Sequence, residues 1–453
     1  MHGAFKFPRC GGTCSSRTDG EPPITRTNPL TARSDLTRDL YRHRHLIHDL
    51  SLSGDTAGLE NYNYPNLRRL GLHNILSYTE DLFLELLKTF PSLVELEFTG
   101  HKLSLPTLLA LSAHPCIANL SLNGGVIKAM DAPIFWEVCG KLESLLLHGV
   151  SFENGAIPAG VVLDRLHNLR IFYLKTLAIS DQLDLLLRCP NLRVLHWMEF
   201  GTDNSNEYLN LDKDRIPEGY WHCLQELEIQ RYFQDKQVAS IFRGVGSGNL
   251  VNMTLGDCHL GEQATKALGL HHATLVELDL WECRSVSSTF SRDVLSSCPR
   301  LKTLHTQAVL ARDVVNGGPW VCQQLQTLAI CFLFGELELD LQHGIFGRLS
   351  TLTRLEFLLM RIPSDDESFE RGRILEFRLE NGLEQLATLQ QLTTMDFEES
   401  EVNVYAPQMG KHEAGWMLAN WKKLRSILGV LNDDPSTDSK LMSMFKIFDI
   451  NTF

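Results

Sequence analysis

Leucines alternate with polar residues in a short phrase that recurs along the chain. Between Leu275 and Cys283 the phrase reads L-x-x-L-x-L-x-x-C, where x stands for a variable residue. Successive side chains of a β-strand point to opposite faces, so Leu278 and Leu280 would face one side and Asp279 the other. One such strand cannot bury its leucines alone. The pattern therefore predicts that similar strands stack side by side.

Copies of this phrase follow one another at intervals of mostly about 20 to 27 residues. The predicted starts are Ile47, Leu67, Leu93, Ile117, Leu142, Leu169, Leu192, Leu224, Leu250, Leu275, Leu301, Leu325, Leu352, Leu392 and Leu424. This is the consensus of a leucine-rich repeat, in which each unit packs only on its neighbours. The sequence therefore predicts an α/β leucine-rich-repeat solenoid of about 15 repeats, with parallel strands on its concave face.

The segments between the predicted strands have the signals of short helices. Ser180 is placed to cap a helix over 181–188, and Ser287 to cap one over 288–297, because a serine side chain can accept a bond from a free backbone N–H. Pro190 and other prolines follow these segments and cannot continue a helix. Helices of this length on the convex side are typical of the ribonuclease-inhibitor-like horseshoe.

Composition divides the chain into three parts. Residues 1–40 are rich in Gly, Pro, Ser, Thr and Arg and are predicted to be disordered. Residues 41–431 are predicted to form the solenoid, and residues 432–453 a C-terminal cap. Two polar segments, 199–219 and 363–369, interrupt the repeats and are predicted to be loops.

Charge and cysteine usage narrow the class of partner and the compartment. The net charge of −13 argues against a general affinity for nucleic acid, and no apolar run approaches the ~18 residues of a membrane span. The start of the chain lacks the apolar core of a secretory signal. Eleven cysteines is an odd number, and those of the repeats, such as Cys189, Cys258 and Cys283, are at predicted packing positions. We expect a monomeric protein of the cytoplasm or nucleus, with reduced thiols and no bound nucleic acid or membrane.

The sequence contains no credible arrangement of catalytic or metal-binding residues. Cys10 and Cys14 have no partners at zinc spacing, and His271–His272 lies at a repeat corner. Gly-rich phosphate loops and nucleophile motifs are not found in a suitable context. We therefore expect a binding protein that has no enzymatic activity and needs no cofactor or metal.

The predicted repeats identify a candidate binding surface. The second, fourth and sixth residues after the first leucine of each phrase would point outwards from the concave face. In the repeats from Leu142 to Leu192 these positions are apolar, and in those at Leu224 and Leu275 they are mainly acidic. The predicted partner-binding residues are Leu146, His148, Ile171, Tyr173, Val194, His196, Met198, Glu226, Glu228, Glu277, Asp279 and Trp281.

Such a surface suits a protein segment that carries apolar anchors and Lys or Arg, because an exposed apolar patch tends to mark a partner site. The alternative is that insertion loops cover these residues, or that they are merely tolerated there. Both interpretations remain open from the sequence.

The chain resembles the F-box/leucine-rich-repeat proteins of early-diverging filamentous fungi. The resemblance rests on the lead-in Tyr41–Leu52 and on repeats such as those beginning at Pro65 and Pro190, and it covers roughly residues 40–453. In that family the repeats hold a target while an N-terminal F-box docks on the Skp1 adaptor of a cullin ubiquitin ligase. The resemblance implies the same two partners here.

One part of the family pattern is not recognisable. Residues 1–40 show no apolar periodicity that could form the F-box helices, so either the F-box has been lost or the chain is truncated. Two functional hypotheses follow. The chain is a substrate-recognition subunit of an SCF-type ubiquitin ligase, or it is a free-standing scaffold or inhibitor with no link to the ligase.

Overall fold

The computed structural model describes most of the chain after residue 43. The described residues are 44–53, 64–73, 80–100, 103–153, 157, 160–174, 176–198, 216–283, 285–335, 338–360, 375–397, 408–429, 431–432 and 434–452. The segment 1–40 therefore lies outside the described residues, as do most of 199–219 and all of 363–369.

One long parallel sheet organises the molecule, and its strands follow one another in chain order. The strands are β1 Asp49–Ser53, β2 Arg69–His73, β3 Glu95–Thr99, β4 Asn119–Asn123, β5 Val126–Ile127, β6 Ser144–His148, β7 Ser151–Phe152, β8 Asn168–Phe172, β9 Val194–Met198, β10 Glu226–Phe233, β11 Asn252–Leu260, β12 Glu277–Asp279, β13 Ser285–Val286, β14 Thr303–Leu310, β15 Thr327–Leu333, β16 Phe357–Leu359, β17 Thr394–Phe397, β18 Ser426–Gly429 and β19 Asn451–Thr452. Among the described strands, only β5 and β7, which pair with each other, and β13, which pairs with the end of β11, depart from the single row.

Helices connect the strands and lie on the convex side of the sheet. The α-helices are α1 Glu80–Thr89, α2 Leu105–Ala113, α3 Ala132–Cys139, α4 Ile179–Leu186, α5 Asp235–Gly244, α6 Glu262–Leu268, α7 Ser288–Ser297, α8 Ala311–Val315, α9 Gln342–Leu349, α10 Lys411–Asn420 and α11 Pro435–Ile447. The described residues also contain five short 3-10 helices: Arg44–Leu46, Gly269–His271, Leu339–Leu341, Leu379–Asn381 and Leu383–Thr388. This arrangement confirms the predicted leucine-rich-repeat solenoid with strands on the concave face.

The core is a set of leucine ladders beneath the sheet. Leu145, Leu169, Leu195 and Leu227 occupy matching positions of β6, β8, β9 and β10, and all four are buried. Burying one leucine side chain contributes about 1.5–3 kcal/mol, and each repeat adds several to the same core. These leucines belong to a single cluster of buried side chains from Leu50 to Ile450, so the core is continuous along the solenoid.

Two repeats begin three residues away from the predicted starts. β8 follows Leu166, and β16 follows Leu355, at the distance that separates the first leucine from the strand in the other repeats. The predicted starts were Leu169 and Leu352. Both regions have leucines at successive intervals of three, so the phrase can be placed in two ways. Pairing with the neighbouring strands selects the earlier start, Leu166, for β8 and the later start, Leu355, for β16.

The predicted helix caps are confirmed at one position and wrong at another. Ser287 is the N-cap of α7, and its side chain accepts a hydrogen bond from the backbone N–H of Phe290. In contrast, α4 begins at Ile179, so Ser180 lies inside the helix and Ala178 takes the cap position without a side-chain bond.

Asp235 joins two successive repeats through the backbone. It is the first residue of α5, but its carboxylate accepts hydrogen bonds from the N–H groups of Gly261, Gln263 and Ala264 at 2.8, 3.1 and 2.8 Å. These three groups belong to the start of α6, where helical N–H groups have no partner within the helix. One side chain therefore caps the helix of the next repeat.

Cysteines fill small positions under the strand ends. The thiols of Cys258 and Cys283 donate to the carbonyls of Arg231 and Leu255 in the preceding repeats, at 3.5 and 3.3 Å. Burial raises the pKa of the Cys258 thiol to about 12 and that of Cys283 well above its usual value. The other buried thiols among the described residues are Cys139, Cys189, Cys298, Cys322 and Cys331.

The C-terminal segment packs on the last repeat. The described helix α11 buries Leu441 and Phe445, and β19 adds a further strand beside β18. Asp434 caps this helix by accepting bonds from the N–H groups of Ser436 and Thr437. Among the described helices, none is long and apolar enough to cross a membrane.

Candidate functional site

The outward-facing side chains of the strands form rows across the concave face. In the middle row the strand register places Leu146, Arg170, His196, Glu228, Thr254, Asp279 and His305 next to one another, on β6 to β14. Nine of the twelve predicted site residues occupy outward positions of these strands, and Trp281 lies in the turn, two residues after β12.

The predicted placement of Ile171 on the face is wrong, and Tyr173 lies just beyond the end of β8. Ile171 is fully buried in the leucine core, and Arg170 and Phe172 take the outward positions of β8. The cause is the later start predicted for this repeat, which moves every side chain of a strand to the other face. Tyr173 follows the strand in a left-handed turn with a φ of 55°, so it lies at the margin of the face.

An apolar patch occupies the face between β6 and β9. It consists of Leu146, Phe172, Val194 and Met198, all half-buried, with Arg170 and His196 among them in the middle row and Tyr173 at its margin. The ring centroid of His148 is 6.0 Å from that of Phe172 and 5.6 Å from that of Tyr173. These contacts hold the aromatic rings in place, which favours binding because little side-chain entropy is lost there.

His196 bridges two carboxylates beside this patch. Its Nε2 lies 2.7 Å from Glu226 and its Nδ1 2.9 Å from Glu228. Burial alone would lower the pKa of His196, but the hydrogen bonds to the two glutamates outweigh it and raise the pKa above its ordinary value. The same bond to His196 lowers the pKa of Glu226. The nearby charge of Arg170 opposes protonation of His196 and assists ionisation of Glu226.

An acidic strip follows on β10 to β12. It consists of Glu226, Glu228, Glu277, Asp279 and Glu282, of which the first four were predicted from the sequence. Glu282 was not predicted, because it lies beyond the strand, and it is placed by a hydrogen bond from Gln230 of β10. Burial, together with the negative charges of Asp279, Asp257 and Glu228, raises the pKa of Glu282.

The acidic strip has few positive neighbours. Within the described residues, its carboxylates form salt bridges to His196 and His305 but to no Lys or Arg. The Nδ1 atom of His305 lies 3.0 Å from Asp279. The face around Glu95 and Glu97 of β3 is different, because Arg69 lies 3.1 and 3.8 Å from these two carboxylates. Carboxylates on β3 and on β10 to β12 of the same sheet are therefore neutralised to different degrees.

Trp281 lies at the end of the acidic strip. Its backbone N–H donates to Asp279 at 3.0 Å, which fixes the turn that follows β12. Trp281 itself is half-buried.

Correct register would have revealed two further residues of the face, because Arg170 and Phe172 become outward-facing once the repeat starts at Leu166. His305 lies at the outward position next to Asp279 on β14, which follows from the start predicted at Leu301, but it was not among the predicted site residues. The Nε atom of Arg170 is buried and has no hydrogen-bond partner among the described residues. No sequence signal indicates this last property, because it depends on the neighbouring strands.

No group of three or more His, Cys, Asp or Glu in the described part of the chain could hold a metal ion. A cavity of about 760 Å³ lies away from the concave face, between β7 and α4, and is lined by Val126, Phe152, Asp181 and others. It contains none of the predicted site residues.

Comparison with known proteins shows the fold. No family model matches the sequence, and no curated protein is similar to it. A leucine-rich-repeat protein of Leptospira interrogans has a TM-score of 0.53 at 14% identity, with 94% of this chain and 100% of that chain covered. At this identity the likeness shows a leucine-rich-repeat fold and nothing about the ligand.

Other solved structures are similar over large parts of the chain. An internalin of Listeria monocytogenes has a TM-score of 0.47 at 17% identity and covers 79% of this chain and 88% of its own. A chain of the yeast Rad7–Elc1 complex has a TM-score of 0.39 at 18% identity, with 67% and 84% covered. The fold and the concave face together define a leucine-rich-repeat solenoid with an apolar patch beside an acidic strip.

Proposed function

We propose that this solenoid captures a protein target on its concave face. The observation that carries the proposal is the acidic strip, whose carboxylates have no Lys or Arg partner in the described residues, next to half-exposed apolar side chains. Such a surface is costly to leave unpartnered and complements a segment that carries apolar anchors and positive charges. A sheet whose leucines are buried on its other side provides a rigid base for it.

The finer proposal is that the chain acts as a substrate-recognition subunit of an SCF-type ubiquitin ligase in the cytoplasm or nucleus. Its support is the resemblance of residues 40–453 to the F-box/leucine-rich-repeat proteins. In this proposal the concave face holds the target, and Skp1 and cullin are the further partners. The alternative is a free-standing scaffold or inhibitor that uses the same face without the ligase.

Affinity capture with concave-face variants tests the general proposal. Replacing Tyr173 and Trp281 with Ala should weaken capture of the proteins that the wild-type chain enriches from a lysate. Leu109→Ala is a matched control, because Leu109 is an exposed apolar residue on the convex helix α2. Circular dichroism should show all variants folded. Equal enrichment by the concave and control variants would contradict the proposal.

Binding to purified Skp1 and cullin separates the two finer hypotheses. The ligase hypothesis predicts that the 453-residue chain binds the Skp1–cullin pair, and that Tyr173→Ala and Trp281→Ala leave this binding unchanged. The scaffold hypothesis predicts no binding to the pair, although lysate proteins are still captured by the concave face.

A further inference from the structure

The order of apolar and acidic side chains from β6 to β12 indicates the order of residues in the bound segment. We propose that an extended partner segment crosses the strands with an apolar residue over Leu146 and Phe172, a Lys or Arg about four residues further on over Glu226 and Glu228, and a second about seven residues on over Asp279. This inference rests on the proposed function and specifies the chemistry of its partner.

The strand register fixes the distances. Three strand steps separate Leu146 on β6 from Glu228 on β10, and two more lead to Asp279 on β12. Neighbouring strands lie about 4.8 Å apart, so these spans are roughly 14 and 24 Å. An extended chain advances about 3.3 Å per residue, so the spans correspond to roughly four and seven residues.

The balance of charge selects the cation. Among the described residues, Glu226 and Glu228 form salt bridges only to His196, with the charge of Arg170 further away, and Asp279 forms one only to His305. The side chains of Glu226 and Asp279 are 39% and 38% exposed, so an incoming ammonium or guanidinium group can reach them. Glu95 and Glu97 already have Arg69, so the same residue types on β3 should bind a cation less well.

Because His196 bridges the two glutamates, the affinity for the positively charged segment should depend on pH. His196 faces Glu226 and Glu228 on one side and Arg170 on the other. When it is protonated, it occupies the carboxylates that the cation would contact and repels that cation. Binding of Lys or Arg should therefore release a proton from His196, and affinity should rise with pH.

Labelled peptides test the spacing on the full-length chain. The probe contains one leucine with lysines four and seven residues after it, on a serine–glycine background. A second peptide has the same composition with both lysines directly after the leucine. Fluorescence anisotropy at low salt should give an affinity at least about fivefold higher for the first peptide. Equal affinities would overturn the proposed spacing.

Paired glutamate variants test the location. Glu226→Gln with Glu228→Gln should weaken binding of the spaced peptide at least about fivefold, whereas Glu95→Gln with Glu97→Gln should leave it unchanged. Equal losses in both variants would mean that the peptide follows net charge alone, and the inference would be wrong.

The proton linkage gives a third measurement. Affinity of the wild type for the spaced peptide should rise between about pH 6 and pH 8, and His196→Gln should remove most of this rise. An unchanged pH profile in the variant would contradict the role of His196.

A helical segment is the main competing geometry. A helix advances about 1.5 Å per residue, so it would need a lysine about ten residues after the leucine to cover the same span. Tighter binding of a helix-stabilised peptide with that spacing would overturn the extended geometry. If no peptide binds but Tyr173→Ala and Trp281→Ala still abolish capture of a lysate target, the inference fails and the proposed function stands. If target capture also survives those changes, both fail.

Discussion

Adjacent residues of one strand have opposite environments in this molecule. Ile171 is buried among the leucines of the core, whereas Arg170 and Phe172 face outwards. The side-chain alternation of a strand therefore decides, residue by residue, whether a substitution affects folding or binding. This separation can be measured directly.

Ile171→Ala should lower the free energy of unfolding by about 2–5 kcal/mol, because it leaves a cavity in a closely packed core. Arg170→Ala should change it by less than about 1 kcal/mol, since its side chain lies on the face. Denaturant unfolding followed by circular dichroism compares the two variants. The reverse order of effects would show that the strand register described for β8 is wrong.

The pH dependence of stability should reveal the His196 bridge. The hydrogen bonds to Glu226 and Glu228 raise the folded-state pKa of His196 above its unfolded value of about 6.5. A raised pKa contributes stability that is fully present below the unfolded value and is lost as the pH rises through the folded value. The wild type should therefore gain stability over His196→Gln when the pH falls from about 8 to about 6.

Thermal melting of both proteins at the two pH values measures this difference. Burial lowers the pKa values of His114 and His271, which gives an opposite trend, but both residues are present in both proteins and their contribution cancels. If the wild type and His196→Gln differ in melting temperature by the same amount at both pH values, folding does not raise the pKa of His196.

At the scale of elements, the repeat phrase predicts the strands well because it records both the alternation and the spacing of the leucines. It is ambiguous where leucines recur every third residue, as at Leu163, Leu166 and Leu169. Only hydrogen bonding to the neighbouring strands resolves such a case. The misplacement of Ile171 on the face follows from this single ambiguity.

The candidate site could be predicted from the sequence only where it depends on the alternation within one strand. Glu226, Glu228 and Asp279 follow from strand alternation alone, and all three face outwards as predicted. The bond between Gln230 and Glu282, and the bridge made by His196, depend on side chains of different repeats. A sequence pattern within one repeat contains no information about such contacts.

Asp235 should be important for the coupling of neighbouring repeats. Asp235→Ala leaves three N–H groups at the start of α6 without their acceptor and should cost about 1–3 kcal/mol. Asp235→Asn keeps one acceptor oxygen and should cost less. Hydrogen exchange should show faster exchange at Gly261, Gln263 and Ala264 in the alanine variant. Gln263→Ala, at an exposed position of the same helix, is a control that should leave stability nearly unchanged.

At the scale of the whole molecule, stability depends on contacts between neighbouring repeats. A repeat at an end of the solenoid has a neighbour on one side only and is therefore less stable. Each internal repeat covers the leucines of the repeats on either side. The last strand of the repeats, β18, is instead covered by β19 and its adjoining helix α11. We therefore propose that these elements cap the solenoid in place of a further repeat.

Removing residues 434–453 should destabilise the chain and promote self-association. The deletion takes away the buried Leu441 and Phe445, each of which contributes about 1.5–3 kcal/mol. Removing residues 1–40, which composition predicts to be disordered, should leave the melting temperature unchanged. Size-exclusion chromatography and thermal melting compare the two deletions. A C-terminal deletion that melts like the full chain would contradict the predicted role of the cap.

The buried thiols are spread along the solenoid, so their alkylation can show which repeats unfold first. Cys139 and Cys189 lie in its first half, and Cys258, Cys298 and Cys331 in its second. Burial raises the pKa of each of these thiols, which keeps them protonated and unreactive towards alkylating reagents in the closed state. The order in which mass spectrometry finds them alkylated under mild denaturation therefore gives the order in which the repeats come apart.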